Sequence, residues 1–289
     1  MTALATDLQR ETTTIHLSTT LKGLLSNSKY VSPTFDSDGI TNLITSIHRQ
    51  ESSISKTHEV DSQADPRQVS GLWLIILTGA LFALNAVEAI PVLYRYAIAQ
   101  VNGDEGKILF VAERMREVGL KTVSFMGVPR AINCLAALSA AIRDQTPQLK
   151  ESLPKESRRE LTPANLEKVQ LRGRELWDDI YAPHHEKLLS ILGRSHPDLP
   201  THIIQCHYSA RLSSFPPDTR LEADLDRVQS SVLAVTCLRA LGGVDKQVES
   251  HIFGLRKAGR RGGEDEEWIT GDEGCVWLLK MVDEIVDVC

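Results

Sequence analysis

The chain has 289 residues, 42% of them hydrophobic and 24% charged, with a net charge of −6. That length and balance fit one large or two small soluble globular domains with ample material for a core. No long basic run is present, so nucleic acid is not an expected partner.

The five cysteines, Cys134, Cys206, Cys237, Cys275 and Cys289, are odd in number and form no Cys-x-x-Cys. This pattern argues against a disulfide scaffold or a structural zinc site and fits a reducing compartment. Asp7, Arg10 and Glu11 interrupt the first apolar residues, unlike a secretory leader. The final Val286-Asp287-Val288-Cys289 matches neither a Ser-Lys-Leu address nor a prenylation box. The expected compartment is the cytoplasm, with mitochondrion and peroxisome as alternatives.

Residues 1–68 read as a polar segment, partly helical through Leu4, Leu8, Ile15, Leu21, Leu24 and Leu25, with 50–67 a loop. Residues 68–87 carry no formal charge and are long enough to span a bilayer. Gln68, Ser70, Thr78 and Asn85 interrupt them, and Gly71 and Gly79 weaken them, so 69–84 is expected as a buried core helix and no membrane partner is expected. A second helix should run to about Gln100, with Pro91 near its start. Residues 104–118 have amphipathic spacing, with Gly119 as the expected C-cap. Gly127 and Pro129 open an Ala/Leu-rich helix to about Arg143. The first helical unit is thus 69–144, followed by a proline-rich, charged linker at 145–163. The second unit, 164–289, should hold helices at 163–181, 183–193, 221–241 and 271–288, with 197–213 short and mixed. Residues 260–270 read as a solvated loop, its Arg260 and Arg261 offset by Glu264, Asp265, Glu266 and Glu267. Without a convincing alternating pattern, the expected fold class is all-α.

The two units share a faded repeat. Ala240-Leu241-Gly242-Gly243-Val244-Asp245, followed by His251, echoes Ala83-Leu84-Asn85-Ala86-Val87-Glu88, followed by Tyr94. The offset is constant, since 240 − 83 and 251 − 94 both equal 157. One helical unit used twice is the simplest reading.

His251, Gly254, Leu255 and Gly259 follow an apolar helix and a turn. Upstream stand Glu175-Leu176-Trp177, Ile180-Tyr181 and Pro197-Asp198-Leu199. In this order the second half resembles the carboxymuconolactone decarboxylase and alkylhydroperoxidase D-like family. The first half resembles the later part of the same unit, through Ala112-Glu113, Gly119-Leu120 and Gly127-x-Pro129-x-Ala131. The resemblance is closest to duplicated fungal members. It implies an all-helical alkylhydroperoxidase D-like fold, a homo-oligomer, and a small organic molecule or hydroperoxide as substrate. Peroxidase members use a Cys-x-x-Cys ahead of the histidine. Here those two positions are Val244 and Gln247 in one copy and Val87 and Ile90 in the other. Dithiol peroxidase chemistry is therefore not expected at these positions, and no cofactor or metal is expected.

Three residues stand out as candidate catalytic groups. A neutral imidazole at His251 suits general acid–base work, against a satisfied core histidine on the face of Val248, Leu255 and Ala258. Tyr94 occupies the matching position in the first copy. Cys206 stands beside His207 and four residues after His202, in a histidine-rich stretch whose spacing matches no standard metal site. Arg130 and Asn133, three apart at a helix start, are candidates to hold an anionic substrate, against a capping role. Two classes stay open: a cofactor-free enzyme with a pocket near His251, and a non-catalytic helical scaffold that kept the fold.

Overall fold

The computed structural model describes residues 18–20, 22, 36–57, 71–216, 218–259 and 268–289. Residues 260–267 of the acidic loop, and the expected helix positions Leu4, Leu8, Ile15, Leu21, Leu24 and Leu25, lie outside them. The chain divides into Met1–Ser32 and Pro33–Cys289. In the first unit, Lys22 N–H donates to the Ser18 carbonyl at 2.9 Å, the i→i+4 bond of a helical turn.

Everything regular in the second unit, among the described residues, is helical. The helices are α1 (Ser37–Thr57), α2 (Leu72–Ala83), α3 (Ala89–Ala99), α4 (Glu105–Met126) and α5 (Val128–Gln145), then a 3-10 turn (Pro147–Lys150). Then come α6 (Leu166–Tyr181), α7 (His185–Ser195), α8 (Leu199–His202), a π-helix (Ile203–Leu212), α9 (Arg227–Leu241), α10 (Asp245–Ala258) and α11 (Asp272–Val288). No helix of the described residues is long and apolar enough to cross a membrane.

Helix α2 is the centre. Its side chains are apolar on every face, and those from Trp73 to Ala83 are all buried, as in a helix enclosed by its neighbours. It packs against α9, α4 and α11. Its N-cap residue, Gly71, supplies no side chain. The carboxylate of Glu51, on α1, replaces it by accepting from the backbone N–H groups of Gly71, Leu72 and Trp73 at 3.0–3.4 Å. The C-terminal end is closed by Arg130, whose guanidinium donates to the Ala83 carbonyl. A cation at this end also meets the negative pole of the helix.

Three local expectations are corrected. Residues 50–57, expected as loop, continue α1, because Ile40, Leu43, Ile44 and Ile47 form a buried stripe at helical spacing that carries on to Glu51. Gly119 does not end a helix: α4 runs on to Met126. Its hydrogen instead lets α2 approach, since a Cβ there would lie 2.5 Å from the Phe82 ring. Helix α9 starts at Arg227, not at 221, because Asp226 and Gln229 form a capping box.

The two segments with similar sequence meet in the core. Asn85 (φ 55°) follows α2 and Gly242 (φ 69°) follows α9, both at positive φ and 157 apart (242 − 85). Glycine adopts positive φ freely, and asparagine visits it more readily than most residues. Helices α2 and α9 cross at Gly79, where a Cβ would lie 2.6 Å from Leu233 and 3.3 Å from Thr236, and 79 + 157 is 236. Helix α2 packs on α4 and α11, and α9 packs on α11 and α4. The covering elements differ. Helix α3 lies under α5, whereas α10 lies under α6.

Candidate functional site

That difference in cover decides what the two matching positions can do. Tyr94, on α3, is fully buried, and its hydroxyl pairs at 2.7 Å with Thr146, which donates to the Ile142 carbonyl at 2.9 Å. Burial pushes the Tyr94 phenol up from its ordinary value. It is a closed packing pair.

His251, on α10, meets α6. Its Nε2 lies 3.2 Å from the Tyr181 hydroxyl, which lies 2.9 Å from the hydroxyl of Tyr208 on the π-helix. The Trp177 ring packs 4.2 Å from Tyr181 and 5.1 Å from Tyr208, and Phe125 of α4 presents its ring edge-on to His251 at 6.0 Å. Two close approaches make the meeting possible. At Gly254 a Cβ would lie 2.9 Å from Ile180, so α10 comes down onto the end of α6. At Gly173 a Cβ would land on Ser209, so the π-helix sits directly on α6. The i→i+5 winding includes Ser213 N–H to the Tyr208 carbonyl at 2.9 Å. It also brings His202 and His207, five apart, into edge contact at 5.2 Å.

Arg227 ties the three helices together. Its Nε donates to Asp179 at 2.7 Å, one terminal nitrogen donates to the Gly254 carbonyl at 3.1 Å, and the other bonds Ser231. Asp179 sits on α6, Gly254 on α10 and Ser231 on α9, so one planar guanidinium fixes their mutual register.

The chain of hydroxyl and imidazole is uncharged at neutral pH. His251 is 8% exposed, and burial, helped by the Arg227 charge, lowers its pKa to about 4. Burial raises Tyr181, opposed by Tyr208 and Arg227, and raises Tyr208 well above the ordinary phenol value. With Nε2 as acceptor, Tyr208 donates to Tyr181 and Tyr181 to His251. In the other tautomer the direction reverses. Either direction satisfies the Tyr181 hydroxyl from both sides.

Tyr181 faces a cleft of about 940 Å³ between α6, α7 and α10. Ile180, Leu188, Ile191 and Phe253 supply apolar walls, and Lys187, Arg256 and Lys257 line it as well. Lys257 donates to the carbonyls of Ile180 and Ala182, holding the last turn of α6 against α10. His251 stands behind Tyr181.

The other expected residues fall elsewhere. Cys206 is on the π-helix, half-buried, and the partner of His251 is Tyr181. Arg130 and Asn133 grip the turn after α2: Arg130 bonds the Ala83 carbonyl, and Asn133 bonds the Asn85 side chain at 3.1 Å. Burial pushes the Cys134 thiol up to about 12 and that of Cys289 to about 11, and raises those of Cys237 and Cys275, so these four hold little thiolate. Among the described residues, no group of three or more His, Cys, Asp or Glu side chains is arranged to hold a metal ion. Sequence reasoning missed Tyr181, Tyr208 and Arg227 as site residues. Tyr181 lies 70 positions from His251, and no local spacing signals such a pair.

The chain matches no protein-family model, no curated protein and no solved structure.

Proposed function

We propose that this protein is a cofactor-free acid–base enzyme of the carboxymuconolactone decarboxylase and alkylhydroperoxidase D-like kind, a duplicated member that works through Tyr181 and His251 without a thiol pair. One observation carries the reading: a buried imidazole bonded to the hydroxyl of a tyrosine that lines a cleft. The family resemblance draws support from the offset of 157 shared by the two positive-φ turn residues, and from the crossing of α2 and α9 near matching positions.

Decarboxylase-like chemistry suits the site better than hydroperoxide reduction. A neutral hydroxyl in a dry wall is a hydrogen-bond donor for an oxygen that gains charge as bonds rearrange. For a β-keto acid, the bond to the carboxylate carbon breaks, carbon dioxide leaves, and the electron pair moves onto the ketone oxygen as an enolate. Tyr181 donates its hydrogen bond to that oxygen when Tyr208 and the Nε2–H tautomer of His251 both donate to the Tyr181 oxygen. Solvent then supplies the proton to carbon. Hydroperoxide reduction in this family needs a thiolate beside the histidine, and the group beside His251 is a phenol. The same reading makes the protein a cytoplasmic homo-oligomer, with Val128 and Ile132, which is 61% exposed on α5, as an apolar face for self-association.

Carbon dioxide release from a panel of small keto acids and carboxylated lactones tests the proposal. Turnover by the wild type that falls at least about a hundredfold in Tyr181→Phe supports it. Turnover unchanged in that variant overturns it. Absence of turnover across the panel favours the non-catalytic scaffold.

A further inference from the structure

The charge pattern of the cleft speaks to what enters it. The chain is acidic overall, at −6, yet no carboxylate is among the described residues that line the cleft. Lys187, at the start of α7, has no ion-pair or side-chain hydrogen-bond partner among the described residues, and Arg256, on α10, shares only the exposed Asp272 at 3.2 Å. Positive charges gathered this way raise the local concentration of anions. The walls are of another kind. Ile180, Leu188, Ile191 and Phe253 present hydrocarbon, and Phe253 is 60% exposed although it is the largest apolar side chain there. A free apolar surface of that size, next to the ammonium of Lys187 and the guanidinium of Arg256, favours a ligand that supplies both halves.

We infer that the cleft binds an amphipathic monoanion, a carboxylate with an extended alkyl or aryl body, with its head at Lys187 and Arg256 and its body along Phe253, Ile191 and Leu188. The volume sets the scale. At about 940 Å³ the cleft is far larger than a compact dicarboxylate needs and suits a body of roughly ten or more carbons. The inference rests on the proposed function only in placing the bound molecule against Tyr181; binding itself does not require turnover.

Calorimetric titration of the whole protein with dodecanoate, below its micellar concentration and near neutral pH, tests the inference. The expected result is one molecule bound per chain, with dodecan-1-ol and dodecyltrimethylammonium at least about tenfold weaker. Shortening the acid should weaken binding by up to roughly fourfold per methylene. Raising salt from about 50 to about 500 mM should weaken the acid but not the alcohol. The pair Lys187→Gln and Arg256→Gln should cost the acid about tenfold and leave the alcohol unchanged, while Phe253→Ser should weaken both. The wild-type ligand series alone is decisive should a variant misfold. Equal affinity for acid and alcohol, or no binding of dodecanoate, overturns the inference. Dodecanoate binding that survives in Tyr181→Phe, together with carbon dioxide release indifferent to that variant, overturns the proposed reaction and leaves the ligand class standing.

Discussion

Replacing His251 with glutamine separates the burial of the imidazole from its hydrogen bond. The amide of glutamine still reaches Tyr181 but does not titrate. In the native protein, burial and the Arg227 charge hold His251 neutral down to about pH 4, against an ordinary value of 6.5. The unfolded chain takes up a proton below 6.5 and the native chain does not, so the contribution of His251 to stability is lost as pH falls from about 6.5 to 4. At about pH 5 the loss amounts to about 2 kcal/mol, and at about pH 7.5 it is close to zero. Urea unfolding of wild type and His251→Gln between about pH 5 and pH 8 measures this directly. The wild type should lose about 2 kcal/mol relative to the variant on acidification, seen as converging or crossing midpoints with unchanged slopes. Parallel curves would mean that the imidazole titrates as it does in water, and would refute a dry His251 behind Tyr181.

Glu51 should show the opposite trend. Burial raises its carboxyl to about 7 despite the backbone donors of Gly71, Leu72 and Trp73. The native chain therefore keeps a proton that the unfolded chain loses between about 4.5 and 7. Stability falls by about 3 kcal/mol as pH rises through that window, and Glu51→Gln, followed by the same urea titrations, should lack the fall. Gly173→Ala should destabilise the protein by about 3 kcal/mol or more, read in its unfolding midpoint, because the new methyl group meets the Ser209 backbone, which cannot swing aside. A thiol reagent should leave Cys134 and Cys237 untouched in the native protein. A variant lacking all five cysteines should retain the wild-type rate on any active keto acid, and neither protein should consume hydroperoxide with a dithiol reductant above the uncatalysed rate.

Much of the helical layout was legible because its causes are local. The uncharged run around Leu74 to Phe82 could only be a core element, and Pro163, Pro183 and Gly271 mark helix edges that fall within a few residues of those observed. Errors arose where a residue served a distant partner. Gly119 has the look of a helix end, but its missing side chain serves contact with Phe82 of α2. Glu51 looked like one more charge in a polar stretch, but it caps another helix. The site was half legible. His251 could be singled out from its motif, and Tyr181 was one of the residues carrying the family resemblance. Their pairing depends on the close approach at Gly254 and the grip of Arg227, both properties of three helices together. Tyr94 and His251 stand at the same offset of 157 in the two similar sequence segments, but α5 closes over one and the end of α6 opens beside the other, a difference that comes from the covering helices.

A double-mutant cycle tests most directly the claim that Tyr181 and His251 act as one unit. Rates of carbon dioxide release on the best keto acid would be compared for wild type, Tyr181→Phe, His251→Gln and the double variant. If the imidazole works only through the hydroxyl, the double variant should be no slower than Tyr181→Phe alone, a coupling of about 1 kcal/mol or more. Losses that simply multiply would show two independent groups, and a Tyr181→Phe protein as fast as wild type would place the chemistry, if any, outside this cleft.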